Sequence, residues 1–254
     1  MILKTSLHIH TSEDKRDGHM ICYDVYRLID EAKNRGFRVL GFTPHQKFVF
    51  KEEFADYARK KGILLIPGIE RNIGHRFLGG HIVILNCDRS AEKVKNFKQL
   101  RAYKKEHPEV FVISPHPTHS RMFSIGSRNL RKYIELFDAV EHSWLYSIKK
   151  NSNRKAVAIA EENRKPVLAT ADVHVLSKLD TDYALIEAED FTADAVFSAI
   201  RQGRFENVTY PKSFLALVFY FISLYSRYIV KYIEKKLLGL MPRELAAVEL
   251  NNKD

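Results

Sequence analysis

Residues 4–10 read Lys-Thr-Ser-Leu-His-Ile-His (KTSLHIH), and this stretch decides how the rest of the chain is read. The alternation predicts a strand, on which His8 and His10 point to the same face, about 7 Å apart. Two imidazoles on one strand face can share a metal ion. The polar segment that follows, TSEDKRDG, adds Asp14 and Asp17. Further ligand-type residues recur beside later apolar runs: His45 in GFTPHQ, Glu70 in LLIPGIE, His81 in GGHIVIL, His116 in FVISPHP, and Asp172 with His174 in LATADVH. A solvated strand face explains one His-x-His. It does not explain the same residue types at six separate runs, which predicts a metal site.

Moving outward, apolar and amphipathic stretches alternate. Asp24 to Asn34 places Val25, Leu28, Ile29 and Ala32 at helical spacing, with Gly36 where a stop is expected. Val39 to Thr43 then predicts a short buried strand, Glu52 to Lys61 a helix closed by Gly62, and Ile63 to Ile69 a strand ending at Glu70. The Gly-rich, basic stretch RNIGHRFLGG predicts a loop. Beyond it the pattern predicts strands at His81 to Asn86, Val110 to Ser114, Ala139 to His142 and Val167 to Thr170. Helices are predicted at Ala91 to Lys105, about Ser127 to Leu136, Arg154 to Asn163 and Ala193 to Arg201, the last with Thr192 as N-cap. Such alternation predicts a parallel α/β architecture. An open doubly wound sheet gathers ligands around one switch point, whereas a barrel's strand ends form a ring on which ligands from nearly all strands converge. The ligand distribution therefore predicts a closed, TIM-like (β/α) barrel.

The 254 residues suffice for such a barrel plus an appendage, and the net charge of +10 favours anionic partners: nucleic acid, phosphorylated small molecules or an acidic membrane surface. The two cysteines, Cys22 and Cys87, lack metal-like spacing and are expected to be reduced thiols. MILKTSLHIH shows neither a long apolar core nor a cleavage motif, so a cytoplasmic location is expected. Residues 211–254 differ in composition. Ser213 to Ser226 (SFLALVFYFISLYS) carries no charge, and RYIVKYIEKKLLGL is then amphipathic, with Ile229, Ile233 and Leu237 on one stripe. Fourteen residues fall short of the roughly 20 needed to cross a bilayer. Two readings stay open for this tail: a helix packed on the barrel or on a second copy, and an in-plane helix with Arg227, Lys231, Lys235 and Lys236 facing anionic lipid at the membrane periphery.

In their order and spacing HIHT, TPH, PGIE, SPHP and ADVH resemble the successive motifs of the polymerase and histidinol phosphatase (PHP) superfamily of metal-dependent phosphoesterases. The resemblance covers about residues 1–210 and implies a distorted seven-stranded barrel with up to three metals at the carboxyl ends of the strands. It implies a first metal on His8, His10, Glu70 and Asp172, and a second, bridged by Glu70, on His81 and His116. A third would take His45, His174 and an acidic residue of the first loop. Relatives often place that ligand where this chain has Lys15 and Arg16; Asp17, followed by Gly18, is the first choice and Asp14 the second.

The ligand chemistry can also be read directly. Imidazoles mixed with carboxylates suit two or three divalent Mn, Fe or Zn ions, since Mg and Ca prefer all-oxygen shells. A bridging carboxylate such as Glu70 sets up an activated hydroxide that attacks phosphorus in line with the leaving oxygen, which makes Glu70, His116 and Asp172 the candidate catalytic residues. Arg71, Arg76 and Arg121 lie beside ligand motifs as candidate phosphate contacts, and His119 as a proton donor or phosphate contact. His142 is expected to hydrogen-bond around the site rather than to ligate. The expected function is hydrolysis of a phosphorylated metabolite, a nucleotide or an oligonucleotide end. A non-catalytic, metal-stabilised module for nucleic acid or membrane is the alternative.

Overall fold

The computed structural model describes residues 1–74, 80–119 and 123–213, and in the tail residues 215–220, 222, 226, 229, 230 and 233. The chain divides into two compact units, residues 1–213 and 214–254.

The first unit is built on one sheet of nine strands: β1 (Ile2–Ile9), β2 (Val39–Phe42), β3 (Leu64–Ile73), β4 (Gly80–Leu85), β5 (Phe111–Ser114), β6 (Ala139–Ser143), β7 (Val167–Thr170), β8 (Asp182–Glu187) and β9 (Phe205–Thr209). Strands β1 to β7 lie side by side in chain order, and β8 and β9 continue from the other edge of β1. The sheet curls into a nearly closed barrel because β1 has two partners along its length. Its first half, Ile2 to Thr5, pairs antiparallel with β8. Its end meets the segment after β7, where Ile9 bridges Val173 in parallel and the His10 and Val173 amides donate to the Val173 and His8 carbonyls at 3.0 and 3.1 Å. This is the closed barrel that the ligand ring predicts, with the seven consecutive strands that the resemblance implies and with β8 and β9 added.

Six helices pack around it: α1 (Val25–Asn34), α2 (Glu52–Lys60), α3 (Phe97–Glu106), α4 (Gly126–Lys132), α5 (Arg154–Glu162) and α6 (Ala193–Arg201). Their starts follow local chemistry. Asp24, Asn96 and Thr192 each accept a hydrogen bond from an amide of the first turn, satisfying donors that a helix start leaves open. The apolar stripe of α1 (Val25, Leu28, Ile29, Ala32) is buried against Ile9, Leu40 and Phe42 of the sheet, and Gly36 and Gly62 provide the left-handed residues (φ 75° and 72°) after α1 and α2.

Three expectations change. The sheet is not wholly parallel: β4 runs antiparallel to both β3 and β5. The sequence predicts β3 to end at Ile69, but it runs on to Ile73 and pairs with Gly80, and the six residues between are too few for the crossover a parallel neighbour needs, so the neighbour reverses direction. Gly80 is required at that return, since a Cβ there would lie 2.2 Å from the Ile125 amide nitrogen. The helix predicted from Ala91 to Lys105 is a 3-10 turn (Arg89–Lys93) followed by α3, each with its own cap, Asp88 and Asn96. The one predicted from Ser127 to Leu136 is α4 followed by a second 3-10 turn, Ile134–Leu136. Strands β8 and β9 were not anticipated.

In the second unit the described residues are helical. No helix among the described residues is long and apolar enough to cross a membrane.

Candidate metal centre

The ligand-type residues meet at one end of the barrel. His8 and His10 stand at the end of β1, His45 just beyond β2, His116 beyond β5, and Asp172 and His174 beyond β7. A β-bulge in β1, where Ser6 to Ile9 faces Leu40 to Phe42, re-aims the two histidines at the barrel end. His81 belongs with them because β4 is reversed: it lies at the start of its strand, opposite Asn72, at the same end as the carboxyl termini of the parallel strands. His116 and Asp172 both have left-handed backbones (φ 28° and 43°), a conformation that costs non-glycine residues energy and clusters at functional sites.

Glu70, buried, is the hub. Its Oε2 lies 3.5 Å from His8 Nε2, 3.4 Å from His10 Nε2 and 2.8 Å from His45 Nε2; its Oε1 lies 2.6 Å from His81 Nδ1 and 3.4 Å from His116 Nε2. Asp172 forms the other pole, with Oδ1 3.4 Å from Nε2 of both His8 and His10 and 3.3 Å from His174 Nδ1. Four overlapping groups bring ligand atoms within 4.8 Å of one another: His8, His10 and Asp172; His8, Glu70 and His116; His45, Glu70 and His81; His10, His45 and His174.

Two carboxylates behind the ring hold the imidazoles. Asp14 accepts from Nδ1 of His10 (2.9 Å) and of His45 (2.8 Å) and from the His45 amide (2.8 Å). Glu141 accepts from His8 Nδ1 (2.8 Å) and from the His116 amide (3.1 Å). With the Nδ1 proton committed outward, the Nε2 lone pair of each ring faces the cluster, the arrangement of a metal-ligating histidine. Asp17 stands between His45 and His174, at 3.7 and 3.6 Å. The two candidate acids of the first loop thus divide: Asp14 orients rings from behind, while Asp17 meets His174 at Nε2 and His45 only at the Nδ1 that Asp14 already holds, and joins none of the four groups.

The test of fit to metal ions lies in the buried polar atoms that make no hydrogen bond, among which six belong to the cluster: His8 Nε2, His10 Nε2, both ring nitrogens of His81, Glu70 Oε1 and Asp172 Oδ1. Orphaned buried polar atoms are costly, and here they converge on one another. Imidazole nitrogen and carboxylate oxygen without thiolate are a donor set for divalent transition metals, so the residues fit. The electrostatics agree. Although burial disfavours its charged form, the Asp172, Glu70 and Glu141 carboxylates raise the His8 imidazole well above its ordinary pKa. His45 is likewise raised against burial, by Glu70 and Asp17. Burial works against ionisation of Glu70 as well, yet His81, His45 and His8 hold it well below the carboxylate range. His81 is the exception: burial, with His116 and His45 near, lowers it to about 4 despite Glu70. The cluster is a nest of ionised carboxylates that attracts positive charge.

The proposed substrate contacts fare differently. Arg71 follows Glu70 on β3, and its Nε and Nη1 are committed to the Val94 carbonyl (3.0 Å) and to the Gln46 carbonyl and side-chain oxygens (2.7 and 2.8 Å). It braces the turn after His45 and is not a free guanidinium. His119 is exposed, 3.4 Å from Ser152 Oγ, and joins none of the four groups. Arg76 and Arg121 lie outside the described residues. Sequence reading missed Glu141 beside His142, whose ring meets Asn153 Nδ2 at 3.5 Å and stands edge-on to Tyr146 at 4.9 Å. The period of a strand carries the signal: in AVEHS the two residues must face opposite sides, and Glu141 is the fully buried one.

With fold and site in view, comparison with known proteins shows what the chain is similar to. Residues 150–205 match a family described as PHP-associated. No curated protein matches in sequence. Similar solved structures include a two-domain protein from Bacteroides vulgatus containing a predicted PHP-like metal-dependent phosphoesterase, with TM-score 0.63 and 16% identity over 89% of this chain and 70% of that one. PsfC from Pseudomonas syringae gives TM-score 0.61 and 14% identity over 90% and 99%. PfuEndoQ, a lesion-specific endonuclease from Pyrococcus furiosus, gives 0.56 and 14% over 82% and 58%. The fold is therefore that of the PHP-like barrels. The one family match, over residues 150–205, points the same way.

Proposed function

We propose that this chain is a hydrolase of phosphate esters, working with two or three divalent Mn, Fe or Zn ions. The observation that carries this reading is the convergence of orphaned His Nε2 and carboxylate oxygens around Glu70 and Asp172. Glu70 and Asp172, with His8 and His10, would hold one ion; Glu70, His81 and His116 a second; His45, His174 and Asp17 a third. Bound there, such ions supply Lewis acidity and a water acidified enough to act as a nucleophile near neutral pH.

The chain's own residues do the rest. Asp14 and Glu141 keep the Nδ1 protons of His10, His45 and His8, so that three Nε2 lone pairs stay pointed inward. Glu70 reaches five imidazoles through its two oxygens, which lets one carboxylate bridge adjacent ions. The β5–α4 connection supplies the rim. Phe123 is 40% exposed, its ring centroid 5.5 Å from that of His81, and the Arg16 guanidinium lies 5.7 Å from the Phe123 ring. An apolar face beside a cation suits a phosphorylated metabolite or nucleotide, with Arg16 on the phosphate and Phe123 against the leaving group.

The test is hydrolysis of an aryl phosphomonoester and an aryl phosphodiester by the full chain, after chelation and after return of Mn, Fe or Zn. Metal-restored turnover of either ester is expected. A chain that regains its metal but cleaves neither these nor a panel of nucleotide, sugar-phosphate and oligonucleotide substrates would sink the enzymatic reading and leave the binding module.

A further inference from the structure

We infer that the tail, whose described residues between 215 and 233 are helical, lies in the plane of an anionic lipid surface and seats this protein there. Of the large apolar side chains described in this segment, Leu217 and Val218 are half-buried and six are exposed: Leu215 (66%), Phe219 (66%), Ile222, Ile229, Val230 and Ile233. Their positions follow one another by four, three, seven, one and three residues, which on a helix forms one continuous stripe. Isolated exposed leucines need no explanation; a contiguous apolar stripe marks an interaction surface.

Charge chooses the occupant. In the sequence, the fourteen residues 213–226 carry no charge, and the next stretch carries Arg227, Lys231, Lys235 and Lys236 against the single carboxylate Glu234. A second copy seated on the same stripe would bring like charges together, where paired helices ordinarily set acidic against basic flanks. An anionic bilayer offers the complement: acyl chains for the stripe and headgroups for the cations, with Tyr225, Tyr228 and Tyr232 of the residue type that favours that boundary. Lys212, near the end of the first unit, is anchored within it: its Nζ donates to buried Asp182 of β8 at 2.6 Å and its amide to the Tyr146 carbonyl at 2.8 Å.

The experiment is co-sedimentation of the full chain with phosphatidylcholine vesicles, with and without phosphatidylserine, across a salt series, beside its oligomeric state by sedimentation velocity. Binding to the anionic vesicles is expected, weakening as salt rises. It should fall by about tenfold or more in Lys231→Glu/Lys235→Glu and in Phe219→Glu/Ile222→Glu, while circular dichroism and metal content stay unchanged. Absence of binding to either vesicle overturns the inference. So does equal binding to both that ignores the lysine exchange, or a concentration-dependent dimer that the same apolar exchange dissolves, which would assign the stripe to a second copy. None of these outcomes bears on hydrolysis, so this inference and the proposed function fail separately.

Discussion

The two sides of the metal centre are built differently. On the β1–β2 side every ring is held before any ion arrives: His8 by Glu141, His10 and His45 by Asp14. On the β4 side His81 has no such carboxylate behind it: its Nδ1 meets Glu70, itself a candidate ligand, at 2.6 Å, and burial holds its pKa down to about 4 despite Glu70. One side is preorganised by its own carboxylates; the other depends on the ion to satisfy it. The lesson is that ligands of one site need not contribute equally. The side with carboxylate–histidine pairs should bind tightly, and the side without them should exchange its ion.

The largest effect should come from the residue that spans both sides. Glu70→Gln keeps the size but removes the charge, and is expected to cut phosphate ester turnover by about 10³-fold or more and to lower metal content with it; full turnover in this variant would refute the bridging role. Asp14→Asn attacks only the preorganised side. It should weaken metal affinity by about 10–100-fold, seen as a lower chelator concentration at half-activity. His81→Ala attacks only the other side and should lose one ion per chain while the rest remain. If instead all ions leave together, the two sides are one cooperative unit.

The smallest effect is on stability, and its sign is set by protonation. In metal-free protein His8, His45, His116 and His174 have pKa values raised above the ordinary 6.5, burial opposing and carboxylates prevailing. Their folded pKa exceeds the unfolded one, so the stability they add is full below about pH 6.5 and is lost as pH rises through the folded values. Metal binding needs neutral imidazole and reverses this slope. The melting temperature should therefore fall above pH 6.5 in chelator and rise with added metal. Parallel slopes would mean that the rings do not bind the ion.

Much of this was legible because strand ends announce themselves. His8, His10, His45, Glu70, His116, Asp172 and His174 stand beside short apolar runs, and a ring of such runs has few foldings other than a barrel. What remained hidden depends on direction and parity. The reversal of β4 follows from where β3 stops pairing, which GIERNIG does not disclose. Glu141 and His142 are equally polar, and only the pleat tells which is buried. Arg71 looks like a phosphate ligand beside Glu70, yet as the next residue on the strand its hydrogen bonds go to Val94 and Gln46. Strands β8 and β9 carry no chemistry, so no motif flagged them.

The most direct test of the central claim is elemental analysis of the full chain purified without chelator, alongside phosphate ester hydrolysis. The account predicts two or three divalent transition-metal ions per chain, with turnover that chelation abolishes and metal restores. Protein that holds no metal after purification, takes up none on titration and hydrolyses no phosphate ester would contradict it.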